Sequence, residues 1–161
     1  MKTVHFVRHG ETEENKDGIW QGHTNTQLSK TGKAQAKLLS KRINLKNQTV
    51  FTSDLARAKE TAYFLSDSPN VRENLREINI GDFTGKSVKE TYSNNLDIFD
   101  ALQDDTYVFP NGESVQEFKQ RVHQEVDYIF DNIDEDSECI VVTHGFFIGT
   151  AIGLVLGFNQ Y

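Results

Sequence analysis

The chain is 161 residues long, which fits one domain with room for a buried core. Its 37% hydrophobic content and two prolines read as ordinary globular structure and argue against disorder. A formal net charge of −7 argues against a nucleic-acid or anionic-membrane surface, and a single cysteine, Cys139, excludes a disulfide framework.

In chain order, Met1-Lys2 runs straight into Val4-His5-Phe6-Val7, with no signal peptide ahead of it. This β-branched and aromatic run predicts a strand over 2–8, ended in a turn by Gly10. Arg8-His9-Gly10-Glu11-Thr12 then falls beyond the strand's carboxyl end, where open α/β sheets bind ligands. A cation and an imidazole there suggest a phosphate seat holding a nucleophile, a local basic pocket in an acidic protein. Taken alone, the pair reads better as a charged loop whose histidine bonds a nearby carbonyl.

A helix is predicted from about Ser29 to Ile43, and a strand over 49–52. Beyond that strand a helix at 54–66 carries Leu55, Ala58, Ala62 and Leu65 on one face. Arg57 sits in its first turn, where a cation opposes the helix dipole, so anion binding explains it better than helix stability does. A short strand is predicted near Asn70–Arg72. Residues 77–112, rich in Asn, Asp, Gly and Thr, break the rhythm and read as an insertion over the sheet edge. Short helical pieces are expected there at 87–93 and 95–102.

Ser114-Val115-Gln116-Glu117 is a capping box, opening a helix whose apolar stripe is Val115, Phe118, Val122, Val126, Ile129 and Ile133. The last strand, 138–143, holds Cys139 as a packing residue and ends in Thr143-His144-Gly145, in the placement of Arg8-His9-Gly10. Alone, His144 reads as a structural histidine; paired with His9 at an equivalent strand end, it reads as a site residue. Gly145, Gly149, Gly153 and Gly157 recur every four residues along a final helix, which suggests close packing on the sheet. The apolar stretch from Phe146 to Phe158 is shorter than the roughly 18 residues a membrane span needs, so a cytoplasmic protein is expected. Strands alternating with helices predict an α/β fold: a three-layer sandwich with a mostly parallel central sheet flanked by helices.

Together these motifs resemble the histidine phosphatase superfamily, in its phosphoglycerate-mutase-like branch. The matches are Arg8-His9-Gly10-Glu11-Thr12, Asn15, Gln21-Gly22, Leu28-Ser29-x-x-Gly32-x-x-Gln35-Ala36 and Ser53-Asp54-Leu55-x-Arg57-Ala58-x-x-Thr61-Ala62. Leu75-x-Glu77-x-x-x-Gly81, Gly112-Glu113-Ser114 and His144-Gly145 follow in family order. The resemblance implies a phosphoglycerate-mutase-like fold over 1–161, with the 77–112 insertion over the active site. It implies His9 as a nucleophile forming a phosphohistidine, with Arg8, Arg57 and His144 holding the phosphoryl oxygens. Glu77 would protonate the leaving oxygen and then activate water. Glu11, Thr12, Asn15, Gln21, Gly22 and Gly145 would contribute to substrate binding. No cofactor and no metal is implied: His9, His144 and Glu77 could mimic a two-His, one-carboxylate site, but two arginines beside them repel a divalent cation.

The chain departs from the family's mutases at Phe146, where they often carry asparagine, and at Ile19, where many members carry arginine. Its insertion offers Lys86 and Lys89 among Asp82, Glu90, Asp97, Asp100, Asp104 and Asp105, which disfavours a polyanionic substrate. Phe146, the stretch Gly18-Ile19-Trp20-Gln21-Gly22-His23 and Pro110-Asn111-Gly112-Glu113-Ser114 favour a phosphatase, with a likeness to the α-ribazole phosphatase subgroup. The expected partner is a small phosphorylated metabolite. The alternatives are a phosphoglycerate mutase and a catalytically weak phospho-ligand-binding module. Family members usually continue past the last helix with another strand, which the ending Gly157-Phe158-Asn159-Gln160-Tyr161 lacks; an edge left open in this way favours a homodimer.

Overall fold

The computed structural model describes residues 1–43, 48–93 and 98–157. Four strands, β1 (Thr3–Arg8), β2 (Thr49–Ser53), β3 (Asn70–Arg72) and β4 (Glu138–Thr143), form one parallel sheet in the order β1-β4-β2-β3. Parallel neighbours need crossovers, and helices supply them. The helices are α1 (Glu13–Lys16), α2 (Lys30–Arg42), α3 (Ala56–Ala62), α4 (Val88–Ser93), α5 (Ile98–Ala101), α6 (Val115–Asp131) and α7 (Gly145–Val155).

Strand side chains alternate between faces, and β4 shows what each face meets. Cys139 and Val141 join the larger core with the α6 stripe and with Phe147 and Ala151 of α7. Ile140 and Val142 join a smaller core with Val50 of β2, Ala58 and Ala62 of α3, and Leu65. Helices therefore cover both faces, as the three-layer reading expects. β1 and β4 run in register, Val7 beside Val142 and Arg8 beside Thr143, so both His-Gly turns leave the sheet side by side.

Local signals act where the sequence places them. Ser114 Oγ accepts from Glu117 N and Glu117 Oε2 accepts from Ser114 N, closing the capping box of α6. Ser29 caps α2 by accepting from Gly32 N. The predicted helix over 54–66 is shorter, because Leu55 is its N-cap and the regular turns stop at Ala62; all four residues of its stripe are still buried. Of the helical piece expected at 95–102, residues 95–97 lie outside the described ones, and Ile98–Ala101 is helical.

The 77–112 segment reaches into the fold: Ile78, Ile80, Ile98, Leu102 and Phe109 are buried in the larger core. One expectation changes. The glycine row does not serve sheet packing as a set. Gly145 and Gly149 line a cavity, and Gly157, at φ +71, follows the end of α7 with nothing near a would-be Cβ.

Candidate active site

The site forms where β1, β2 and β4 end. His9, the first residue past β1, is tied to the neighbouring strand by its N–H to Thr143 O at 3.0 Å. Its ring Nδ1–H donates to Gly10 O at 2.7 Å, which leaves Nε2 as the bare nitrogen. Arg57 Nε–H points at that Nε2 from 3.3 Å. Burial, then the Arg57 charge, pushes the His9 pKa down to about 3, against the Gly10 bond, which raises it. His9 is therefore a neutral imidazole across the physiological range.

The turn that presents His9 depends on two glycines. A Cβ on Gly10 would meet Gly32 O at 2.6 Å, and one on Gly32 would meet Glu11 O at 2.1 Å. The first turn of α2 thus packs backbone to backbone on the signature loop, an approach open only to glycine. Glu11 and Thr12, expected to contribute to substrate binding, are not among the residues that line the cavity. Glu11 accepts from Ser29 Oγ, and its N–H donates to Gln35, tying the loop to α2. Thr12 is fully buried, caps α1 and donates to Gln21 Oε1.

Arg57 is 1% exposed, and burial lowers its pKa to about 10, so it remains a cation near neutrality. Besides facing His9, it donates to Thr24 O at 2.6 Å and Gly22 O at 2.8 Å, which shapes the 21–24 loop. Arg8, by contrast, is exposed, and its guanidinium makes no hydrogen bond or ion pair among the described residues. His144 is fully buried, its ring 5.1 Å from that of His9. Ser53 Oγ at 3.0 Å holds its Nε2, while its buried Nδ1 has no partner among the described residues. Burial, then Arg57, pushes its pKa well down, so it too is neutral.

Glu77 faces this group across Gly145: an ideal Cβ there would lie 3.6 Å from Arg8 Nε and 3.9 Å from Glu77 Oε2. The carboxylate accepts from the N–H groups of Ile78, Phe146 and Phe147 at 3.1 to 3.2 Å, two of them at the start of α7. Burial raises its pKa above the ordinary Glu value, and those three donors pull the other way. The net direction is up, which suits a proton donor.

The cavity, about 430 Å³, brings together Arg8, His9, Arg57, Glu77 and Gly145 with Asn15, Gln21 and Gly22. His144 lies behind its surface. Gln21 Oε1 accepts from Thr12 and Thr26 hydroxyls, an arrangement that fixes the amide in place. Sequence reasoning missed the supports. Ser53 orients His144, and His23 Nε2 bonds Glu77 O at 2.7 Å. Arg121 of α6 donates to the carbonyls of Asn74, Arg76 and Glu77 and forks onto the carboxylate of Glu113. It also missed Trp20 and Phe99 as lining groups, although Trp20, the single tryptophan beside Gln21-Gly22, was a usable signal.

Among the described residues no three His, Cys, Asp or Glu side chains cluster as metal ligands, and no helix is long and apolar enough to cross a membrane.

The family model described as the histidine phosphatase superfamily (branch 1) matches residues 4–160. "Probable phosphoglycerate mutase GpmB" of Erwinia tasmaniensis is 32% identical over 164 residues, covering 98% of this chain and 76% of that protein. Among solved structures, "a putative alpha-ribazole-5'-P phosphatase" of Escherichia coli aligns with a TM-score of 0.80 at 28% identity, covering 96% of this chain and 79% of that one. Mycobacterial glucosyl-3-phosphoglycerate phosphatase aligns with a TM-score of 0.84 at 26% identity, covering 94% and 80%.

Proposed function

The chain belongs to the histidine phosphatase superfamily, and from that premise we propose that it hydrolyses a small phosphomonoester, without a metal, through a phosphohistidine on His9. The observation that carries this reading is the state of His9: a neutral imidazole with its proton held on Nδ1 and its bare Nε2 in the cavity beside Arg57. In the proposed first step Nε2 attacks phosphorus, the bond from phosphorus to the ester oxygen breaks, and Glu77 gives its proton to that oxygen. In the second, the Glu77 carboxylate takes a proton from water, whose oxygen attacks phosphorus as the nitrogen–phosphorus bond breaks. Inorganic phosphate leaves, and both residues return to their starting states. Arg8, with its uncommitted guanidinium, and the Arg57 charge would stabilise the phosphoryl oxygens, with the neutral His144 ring packed beside that of His9 behind them.

An aryl phosphate tests this. The expected outcome is chelator-insensitive hydrolysis and an acid-labile, base-stable phosphoenzyme trapped by an alkaline detergent quench. His9→Ala should lose both, with kcat/KM down by at least about a thousandfold. Hydrolysis that survives in His9→Ala, or that a chelator abolishes, would sink the reading. A mutase, the activity named for several relatives, needs a second anion seat. The cavity's cations, Arg8 and Arg57, both belong to the first seat. Efficient conversion of 3-phosphoglycerate to 2-phosphoglycerate would promote the mutase reading instead.

A further inference from the structure

Beyond Arg8, His9 and Arg57, the cavity continues along an apolar wall of Ile19, Trp20, Ile80, Val88, Phe99 and Phe146. Three rings dominate it. Phe146 lies nearly parallel to Trp20 at 6.0 Å and edge-on to Phe99 at 5.2 Å, and Trp20 and Phe99 are 6.4 Å apart. The wall is built in advance of any ligand. Trp20 Nε1–H donates to Thr91 Oγ1 at 2.9 Å, and its backbone bonds Lys86 O and Gly85 N, so the ring is pinned to the 85–91 segment. Ile19 bridges Ser87 in the same way.

The charges around this wall are one-sided. Both lining cations sit at the phosphate end, and the lining carboxylates are Glu14 and Glu77. Glu14 acts electrostatically on Arg57, which places its influence at the phosphate end too. A leaving group that carries a carboxylate or second phosphate would meet apolar rings there and, among the described residues, no lining cation beyond the two at the phosphate end. An ammonium-bearing one would find its best counter-charge, Glu14, already coupled to Arg57. An uncharged ring would bury apolar area against these three rings without stranding a charge.

We propose that this site takes phosphomonoesters whose leaving alcohol or phenol carries an uncharged ring, with Trp20, Phe99 and Phe146 as the residues that select it. The proposal rests on the reading of Arg8, His9 and Arg57 as a phosphate seat.

Binding without turnover tests it. Benzylphosphonate, 2-carboxyethylphosphonate and 2-aminoethylphosphonate share the phosphonate and differ only in the body that would meet the wall. Each is titrated by calorimetry and by the fluorescence of Trp20, the single tryptophan of the chain. Benzylphosphonate is expected to bind at least about tenfold more tightly than either other compound and to perturb Trp20 most strongly. Phe99 is 45% exposed, so Phe99→Ser should fold; it should cut that ratio to about two, while Phe99→Leu keeps most of it. Equal affinities, a preference for the aminoethyl compound, or a ratio unmoved by Phe99→Ser would overturn the proposal. If neither inorganic phosphate nor any of the three binds, the phosphate seat itself falls and takes the proposal with it. Ring-selective binding with no hydrolysis of any ester would support the proposal and reject the catalytic reading alone.

Discussion

In the proposed reaction His9 must be neutral to attack and Glu77 protonated to release the leaving group, and their surroundings push their pKa values toward those states. The alkaline limb of kcat/KM should therefore follow Glu77, with activity falling as pH rises through a pKa above the ordinary value of 4.5. Glu77→Gln should slow an alkyl ester by roughly a hundredfold or more. With an activated aryl ester, whose oxygen leaves without a proton, it should instead show a burst followed by slow turnover, because the water-activating step is impaired. Stability carries the same signature. The folded state holds His9 neutral down to about pH 3, while the unfolded chain protonates it near 6.5. Between these values the unfolded state binds more protons, so stability falls as the solution is acidified, by about 2 kcal/mol at pH 5 from His9 alone. His144 and His23, also depressed by burial, add in the same direction, while Glu77 with its raised pKa acts in the opposite one. Urea melts at about pH 8 and pH 5 measure the slope, and His9→Asn should flatten it. A wild-type midpoint unchanged between the two would contradict the burial of a neutral His9. His9 and His144 were legible in the sequence because both follow apolar strand runs. The basis of Glu77's acidity was not, since two of its three donors lie on a helix about 70 residues away.

At the scale of elements, α6 both fills the core and steadies the acid. Its apolar stripe was readable from spacing, and every expected residue is buried. Its polar side was not readable, because an arginine on a helix surface looks the same whether solvent or backbone receives it. Arg121 fastens the turn at 74–77 through three carbonyls, and its ion-pair partner Glu113 also accepts from Asn79 N. Arg121→Met should cost about 2–4 kcal/mol, since it removes one half of a mostly buried ion pair and unsatisfies those carbonyls. It should also lower kcat by about tenfold or more and shift the alkaline limb, while KM moves little. The double variant Arg121→Met, Glu113→Gln should cost less than the sum of its parts. A stability loss with kcat and the pH profile unchanged would show that Arg121 supports the fold alone.

Across the whole molecule, the 77–112 segment is the part that composition misrepresents. Its Asn, Asp and Gly suggest a loop laid on the surface, yet its scattered apolar residues contribute Ile78, Ile80, Ile98, Leu102 and Phe109 to the larger core. Isolated buried residues without a period leave no pattern for sequence reading to find. One segment thus contributes to both the core and the cavity wall. Phe109→Ala should cost about 3–5 kcal/mol and lower the melting temperature and the retention of activity together, in one transition. A separate early transition confined to this segment would show instead that it unfolds on its own.

The capping of α7 by Glu77 has a dynamic consequence. His144 offers that helix no side-chain cap, so the carboxylate alone receives the side-chain-directed bonds of Phe146 and Phe147. A negative charge there favours the helix end, and a bound proton removes that charge. Each proton Glu77 gains or gives up in the proposed cycle would therefore loosen or tighten the first turn of α7. Hydrogen–deuterium exchange at the Phe146 and Phe147 amides would then report the ionisation of a buried acid, a solvent-side record of events inside the cleft.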